Sequence, residues 1–510
     1  MLFVGVGTIA AYGGQAPWVE VRSPDFSVIT DSGEKDGREV ALHFEQMRSV
    51  FGSLMTRAKV NLPVPLEIVA FRNAKEMREV APLYNGKPTE LAGLFQGADD
   101  RSFIILDMSV GNPWRVVFHE YGHRLLEGNI AFHMDPWFEE GFAEYFSSIE
   151  VDNREARVGK IPEETYQILN ETGMMKVAEL FRVQQNSRIY NESGDHRNQF
   201  YAESALVVHY LYDNQMIPKL PAYFSAVEEG KKTVEEAIEA AFGMTAAQLD
   251  RALEEYRRSA RCRYYEIPTP AEIVPAGFKV VGLRATDAQA VIADIHAHSY
   301  DYLKQAVGEF QQILETDPDN EAALRGAGFA CLRQHDYKRA AEYLRQAVAR
   351  DSKDARVHYY YAMLLSEQGR PDESGAAAIK RELETAIALD PEMADAYSLL
   401  GFTEAFSGEP KKGIADLKKA VEMSPRNDHY RFNLAAAWLA NGEIDEAIAS
   451  LRKLTESGDE EVAARARESL TQANRLAEEM KAARERHARR VEKNGGASSG
   501  DAAPIPSATQ

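Results

Sequence analysis

Cysteine is nearly missing from this sequence: Cys262 and Cys331 are the two in 510 residues, and no CxxC or Cys/His cluster exists. A disulfide framework is excluded, and two buried free thiols are the plain expectation. Long apolar runs are missing as well. The N-terminal run Leu2–Tyr12 has eleven residues, too few to span a bilayer, so no transmembrane segment is expected. An excess of positive charge is also lacking: 59 Lys and Arg face 79 Asp and Glu, a formal charge of −20. Phosphate binding needs a basic face, so nucleic acid is not expected as a partner. What remains, 45% hydrophobic and 27% charged residues, suits globular protein long enough for two or three domains.

The most informative segment is His119-Glu120-Tyr121-Gly122-His123, an HExxH motif. Residues i and i+4 stack on one helix face, so His119 and His123 can aim two imidazoles at one metal ion. Glu120, one position along, reaches a water beside the metal without being a ligand, as a hydrolytic base must. Asn112-Pro113 predicts a helix start and Gly128 a stop, with Trp114, Val117, Phe118, Tyr121 and Leu125 as the apolar stripe between them. Asp135-Pro136 starts a second helix, which carries Glu140 and Glu144 on one face and points Glu139 elsewhere. A catalytic zinc takes three protein ligands and keeps one position open. Glu140 is the natural third ligand, with sixteen residues between it and His123, and His133 is a rival. Glu144, one turn on, can hold the second nitrogen of a ligand histidine. Gly141 and Ala143 are small enough for the two helices to approach closely.

These pieces resemble the gluzincin metallopeptidases. Trp137-Phe138-Glu139-Glu140-Gly141-Phe142-Ala143 is similar to the WLxEGFA block of gluzincin aminopeptidases, in which the glutamate before the glycine binds zinc. Phe200-Tyr201-Ala202-Glu203-Ser204, running on to His209-Tyr210-Leu211, resembles the family helix whose first tyrosine donates to the oxyanion. The resemblance therefore implies one zinc per chain on His119, His123 and Glu140, with Glu120 as general base and Tyr201 as oxyanion donor. Tyr190, His209 and Tyr210 are further candidates for the tyrosine's role, and His196 reads as a surface residue. No GxMEN-type segment lies upstream, so aminopeptidase specificity is not implied. The arrangement is closest to a bacterial group of peptidase-like domains joined to helical repeats.

The organisation expected is α+β followed by all-α. Residues 1–16 resemble a signal-peptide remnant without its basic start, the other reading being an apolar strand. A signal places the protein outside the cytoplasm, periplasmic or secreted; a strand leaves it cytoplasmic. Residues 17–265 form the peptidase-like domain, a small mixed sheet plus helices. Strands are predicted at 18–22, 26–30, 66–71, 91–96 and 102–108 and helices at 37–54 and 74–80; 150–260 reads as helical, with an apolar helix over 201–212. Ser102–Met108 is a candidate for pairing with an extended substrate, by analogy with strand addition. Residues 266–283, punctuated by proline and glycine, read as a linker.

From 284 to 457 a period of 34 runs through the chain. Pro318, Ser352, Pro391 and Pro425 mark repeat ends, with five residues inserted near Gly369–Ala377. Small residues recur at Gly328, Ala362, Gly401 and Ala435, and again at Ala306, Ala340, Gly413 and Ala447. This resembles the tetratricopeptide repeat, about five units of an α-solenoid whose concave face can hold a protein partner or only brace the first domain. A charged capping helix over 458–493 and a disordered tail over 494–510 complete the chain. The function expected is peptide-bond hydrolysis, with the repeats recruiting peptide or protein. The competing reading is a repeat adaptor with a structural or inactive metal site. Zinc hydrolysis of a non-peptide bond fits the same ligands.

Overall fold

The computed structural model describes residues 17–495, apart from 57–58, 63, 99, 112, 131, 133, 153, 185–186, 192–194, 229, 231, 260–264 and 368–372. Asn112, His133, Cys262, the start of the repeat insertion, the signal-like segment and the tail beyond 495 lie outside the described residues. The chain is mostly helical with a small mixed sheet. Two compact units emerge: residues 1–369 with 385–394 and 423–426, and residues 370–384 with 395–422 and 427–510.

The strands, all in the first unit, are β1 (Val19–Arg22), β2 (Ser27–Thr30), β3 (Leu66–Phe71), β4 (Leu83–Tyr84), β5 (Lys87–Pro88), β6 (Gly93–Gly97), β7 (Ser102–Asp107), β8 (Glu150–Val151), β9 (Glu155–Val158), β10 (Tyr265–Pro268) and β11 (Lys279–Gly282). Six of them make one sheet in the order β11-β1-β2-β3-β7-β6. β2, β3 and β7 run parallel, and both flanks are antiparallel. The near-continuous apolar runs of β3 and β7 mark a sheet core covered on both faces. On one face packs α1 (Glu34–Leu54), through Phe44, Met47 and Phe51. Ile295, on the first helix beyond β11, packs against Val69, Phe71, Phe103 and Ile105 on the other.

Two expectations need correction. Residues 150–260 are not wholly helical: β8 and β9 form a hairpin that pairs with β10 in a second sheet. Residues 266–283 do not merely link. They contribute β10 and β11, because β1 and β9 would otherwise expose unpaired backbone along an edge.

The helices that follow α1 are α2 (Ala74–Met77), α3 (Trp114–Asn129), α4 (Pro136–Ser147), α5 (Glu163–Thr172), α6 (Val177–Leu180), α7 (Arg188–Asn191), α8 (Asp195–Asp213), α9 (Leu220–Glu228), α10 (Val234–Phe242) and α11 (Ala246–Ser259). Beyond β11 come α12 (Ala285–His298) and α13 (Leu303–Thr316), then α14 (Glu321–Arg333), α15 (Tyr337–Ala349) and α16 (Ala355–Glu367). α12 joins the sheet through charge as well as apolar contact. Arg101, at the foot of β7, reaches Asp294 at 2.6 Å and Glu67 at 3.0 Å, and Arg325 of α14 reaches the same Asp294 oxygen at 3.0 Å. Arg101 and Asp294 are each only 5% exposed.

The remaining helices are α17 (Glu373–Leu389), α18 (Ala394–Phe406), α19 (Pro410–Met423), α20 (Asp428–Asn441), α21 (Ile444–Leu454) and the long α22 (Glu460–Gly495). Small residues sit where paired helices touch. A Cβ on Gly401 would lie 2.5 Å from the Gly413 carbonyl oxygen, and one on Gly328 would lie 2.5 Å from Leu344.

Candidate metal centre

α3 buries Val117, Phe118, Tyr121 and Leu125, which leaves His119, Glu120 and His123 on its half-buried face. The helix runs one residue past the expected stop at Gly128. α4 begins with Pro136 in its first turn, after Asp135. Close contact fixes the two helices: a Cβ on Gly122 would lie 3.5 Å from Ala143 Cα and 3.3 Å from the Phe146 ring. Gly141 serves a different contact from the one expected. It faces α8, where a Cβ would stand 2.4 Å from the Ser204 carbonyl oxygen, so the α4–α8 approach brings Tyr201 up beside the histidines.

The three ligand atoms converge. His119 Nε2 lies 3.2 Å from His123 Nε2 and 3.2 Å from Glu140 Oε2, and His123 Nε2 lies 3.4 Å from the same oxygen. Donors held tetrahedrally about 2.0–2.1 Å from zinc stand about 3.3–3.4 Å apart, so the donor set and its spacing fit that ion. Glu139 is not among the converging atoms.

A ring of partners orients the donors. Glu144 Oε1 lies 3.2 Å from His119 Nδ1, so Nδ1 has a carboxylate to receive its proton and Nε2 is the nitrogen turned toward His123 and Glu140. Arg115 steadies Glu144 at 3.2 Å and also reaches Glu164 at 2.9 Å. Tyr190 donates its hydroxyl to Glu140 Oε1 at 2.6 Å. Burial works against a charged His119, but the Glu140 and Glu144 carboxylates outweigh it and raise the ring to about 9. Burial likewise opposes a charged Glu140, yet the two histidines and Tyr190 hold it well below the usual carboxylate range.

Glu120 stays half-buried, and its carboxylate has no hydrogen-bond or ion-pair partner among the described residues. Tyr201 lies over the site, its ring 6.1 Å from that of His119 at 27°. Burial, then Glu140, raise its hydroxyl above the ordinary value, while Arg197, one turn earlier, donates to that hydroxyl at 3.3 Å. A cleft of about 280 Å³ opens beside it, lined by Arg115, Glu144, Thr165, Arg197, Asn198 and Tyr201 among others. The other candidates fall elsewhere. His209 is buried against Tyr145 with neither ring nitrogen hydrogen-bonded among the described residues, Tyr210 packs on Tyr256, and His196 is exposed.

Ser102–Met108 cannot take an added strand, because β7 is paired on one side by β3 and on the other by β6. The free edge at that end is β6, and a Cβ on its Gly93 would lie 2.7 Å from Val117 of α3. Sequence reasoning offered Tyr190 as an oxyanion donor rather than as the partner of Glu140, and it missed Arg115 and Arg197. Arg115 and Arg197 stand four residues before His119 and Tyr201, a legible helical spacing. Tyr190 sits on a separate short helix and leaves no such signal.

Comparison with known proteins concerns the repeats. The tetratricopeptide repeat family model matches residues 332–377 and 407–470. Over these residues the helical hairpins are tetratricopeptide repeats. Peroxisomal targeting signal receptors are similar: that of Komagataella phaffii is 32% identical over 112 residues, 22% of this chain and 19% of that protein. That of Pichia angusta is 35% identical over 97 residues, 19% of this chain and 17% of that protein. The chain thus spans about a fifth of the length of these curated relatives. Among solved structures, a thermophilic tetratricopeptide protein of Thermus thermophilus aligns with a TM-score of 0.32 at 22% identity, over 37% of this chain and all of that one. The type IV pilus biogenesis factor PilW aligns with a TM-score of 0.32 at 20% identity, over 38% of this chain and 89% of that one. The candidate ligands lie outside the segments that the family model matches. No described helix is long and apolar enough to cross a membrane.

Proposed function

We propose that the chain is a zinc-dependent metallopeptidase of gluzincin type whose repeats recruit a protein substrate or partner. The observation that carries this reading is the triangle of His119 Nε2, His123 Nε2 and Glu140 Oε2, with edges of 3.2–3.4 Å. Zinc bound there would polarise a carbonyl oxygen and bring the pKa of a water toward neutrality. The chain's own groups supply the rest. Glu144 keeps His119 in the tautomer that presents Nε2, and Tyr190 holds Glu140 in place. Glu120, without a competing partner, takes the proton of the attacking water and passes it to the leaving amine. Tyr201 donates to the oxygen on which negative charge develops. β6 offers its free edge to an extended peptide.

The test is metal analysis of the purified chain with a peptide-library cleavage assay, on the wild type and on Glu120→Gln. The expected result is one zinc per chain in both and cleavage by the wild type alone; equal activity in the variant would refute the assignment.

A second reading is favoured by the comparisons. The family match and the targeting-receptor relatives concern binding rather than catalysis, and they support an adaptor in which the repeats hold a protein and the metal site is structural or inactive. An adaptor would capture a partner through its repeats and show no cleavage with zinc in place.

A further inference from the structure

We propose that Arg197 is the specificity-determining residue of the cleft, receiving a substrate carboxylate next to the bond that is cut. The inference rests on the peptidase reading. Two arginines line the cleft. Arg115 is spent on carboxylates of the chain itself, Glu144 and Glu164. Arg197 is exposed and forms no ion pair among the described residues; its hydrogen bond goes to the Tyr201 hydroxyl at 3.3 Å. Its guanidinium carbon also lies 5.3 Å from the centre of the Tyr201 ring, which in turn lies 6.1 Å from the His119 ring. One N–H is engaged by Tyr201, and a guanidinium has five, so a planar fork remains to meet two carboxylate oxygens.

The surroundings agree with an anion. Arg197 lies in the first turn of α8, a nineteen-residue helix whose positive end favours negative charge. Asn198 and Thr165 add neutral polar groups to the lining, and its two carboxylates, Glu144 and Glu164, are paired with Arg115. With both lining carboxylates held by Arg115 and none paired to Arg197 among the described residues, Arg197 is available for a carboxylate from outside. The carboxylate can be an aspartate or glutamate side chain or the C-terminus of the peptide. Either one, held at Arg197, would stand beside the hydroxyl assigned to the oxyanion, so recognition and alignment of the scissile carbonyl would come from one contact.

The experiment uses the full chain loaded with zinc and two peptide pairs drawn from a sequence that the library assay shows to be cleaved. One pair differs as Glu against Gln beside the scissile bond, the other as C-terminal acid against amide. Equilibrium binding of the same fluorescent peptides to Glu120→Gln gives a readout free of turnover. One acidic member of the two pairs should bind and react about 10- to 100-fold better than its neutral counterpart, as expected for a charged hydrogen bond, and whichever pair shows the difference identifies the source. Arg197→Gln should abolish that preference chiefly through KM and binding, and Arg197→Lys should restore part of it. Equal loss for acidic and neutral peptides, seen in kcat with binding unchanged, would make Arg197 only a positioning residue for Tyr201 and overturn the proposal. No preference in the wild type would overturn it as well. Failure of zinc-loaded wild type to cut any library peptide would instead defeat the peptidase reading on which it stands, and the proposal with it.

Discussion

Tyr190 donates its hydroxyl to Glu140 Oε1, the carboxylate oxygen turned away from the histidines. One oxygen of Glu140 faces the ligand triangle and the other is anchored, so the side chain cannot rotate without losing one contact or the other. Outer partners of this kind are worth about 10- to 100-fold in metal affinity. Tyr190→Phe keeps the ring and removes only the anchor. Its zinc dissociation constant, measured by competition with a chromogenic chelator, should rise by that factor while thermal unfolding of the apo chain changes little. Unchanged affinity would show that Glu140 is held by packing alone.

The α4–α8 contact should be intolerant of a single methyl group. A Cβ on Gly141 would meet the Ser204 carbonyl oxygen at 2.4 Å, and a backbone atom cannot swing aside as a side-chain tip can. Gly141→Ala must push two buried helices apart, at a cost of about 1–3 kcal/mol from overpacking. Because α4 carries Glu140 and α8 carries Tyr201, zinc affinity should fall together with the Tm. A variant as stable as the wild type would mean that the helices can slide.

Asp294 should matter more than its place in a repeat helix suggests. Arg101 and Arg325 both end on its Oδ2, and burial is nearly complete on all three. Removing one partner of a buried ion pair costs about 3–5 kcal/mol, since the charge left behind is uncompensated. Asp294→Ala should therefore destabilise the sheet in addition to α12, visible as faster hydrogen exchange in β3 and β7. Exchange accelerated in α12 and α14 alone would show that the sheet and these helices unfold independently.

What is legible in the chain follows from locality. The HExxH spacing, the Asp135-Pro136 helix start and the repeat period of 34 are relations within one element or between identical ones, and a helix translates them directly into faces. Gly141 is legible as a close contact but not as to its partner, because α8 lies some sixty residues away in sequence. Residues 102–108 are recognisable as a strand, yet their place inside the sheet depends on β6 folding back antiparallel, which no residue in β7 announces. β11 is hidden for the same reason: Pro275 and Gly277 mark a turn, while the pairing of Lys279–Gly282 with β1 is a tertiary event. Tyr190 competes in the sequence for the role given to Tyr201, since only coordinates reveal which atom its hydroxyl meets.

Glu203, two residues after Tyr201, is 1% exposed, and among the described residues its carboxylate accepts one hydrogen bond, from the Met175 amide at 3.0 Å. Burial, reinforced by Asp250 and Glu179 and only partly opposed by that amide, raises it from the ordinary 4.5 to about 8. Between those values the folded chain keeps a proton that the unfolded chain has lost, so stability falls as pH rises. The contribution is fully present below about 4.5 and is gone once pH passes about 8, with a slope on the order of 1 kcal/mol per pH unit between them. Glu203→Gln keeps an oxygen for the Met175 amide and carries no charge at any pH. Urea unfolding at several pH values should show the wild type losing stability from pH 5 to pH 8, and the variant losing less by about that slope. At pH 8 the variant should be the more stable of the two. Parallel curves would mean that water reaches Glu203 in the folded chain and that its carboxylate ionises there at little cost.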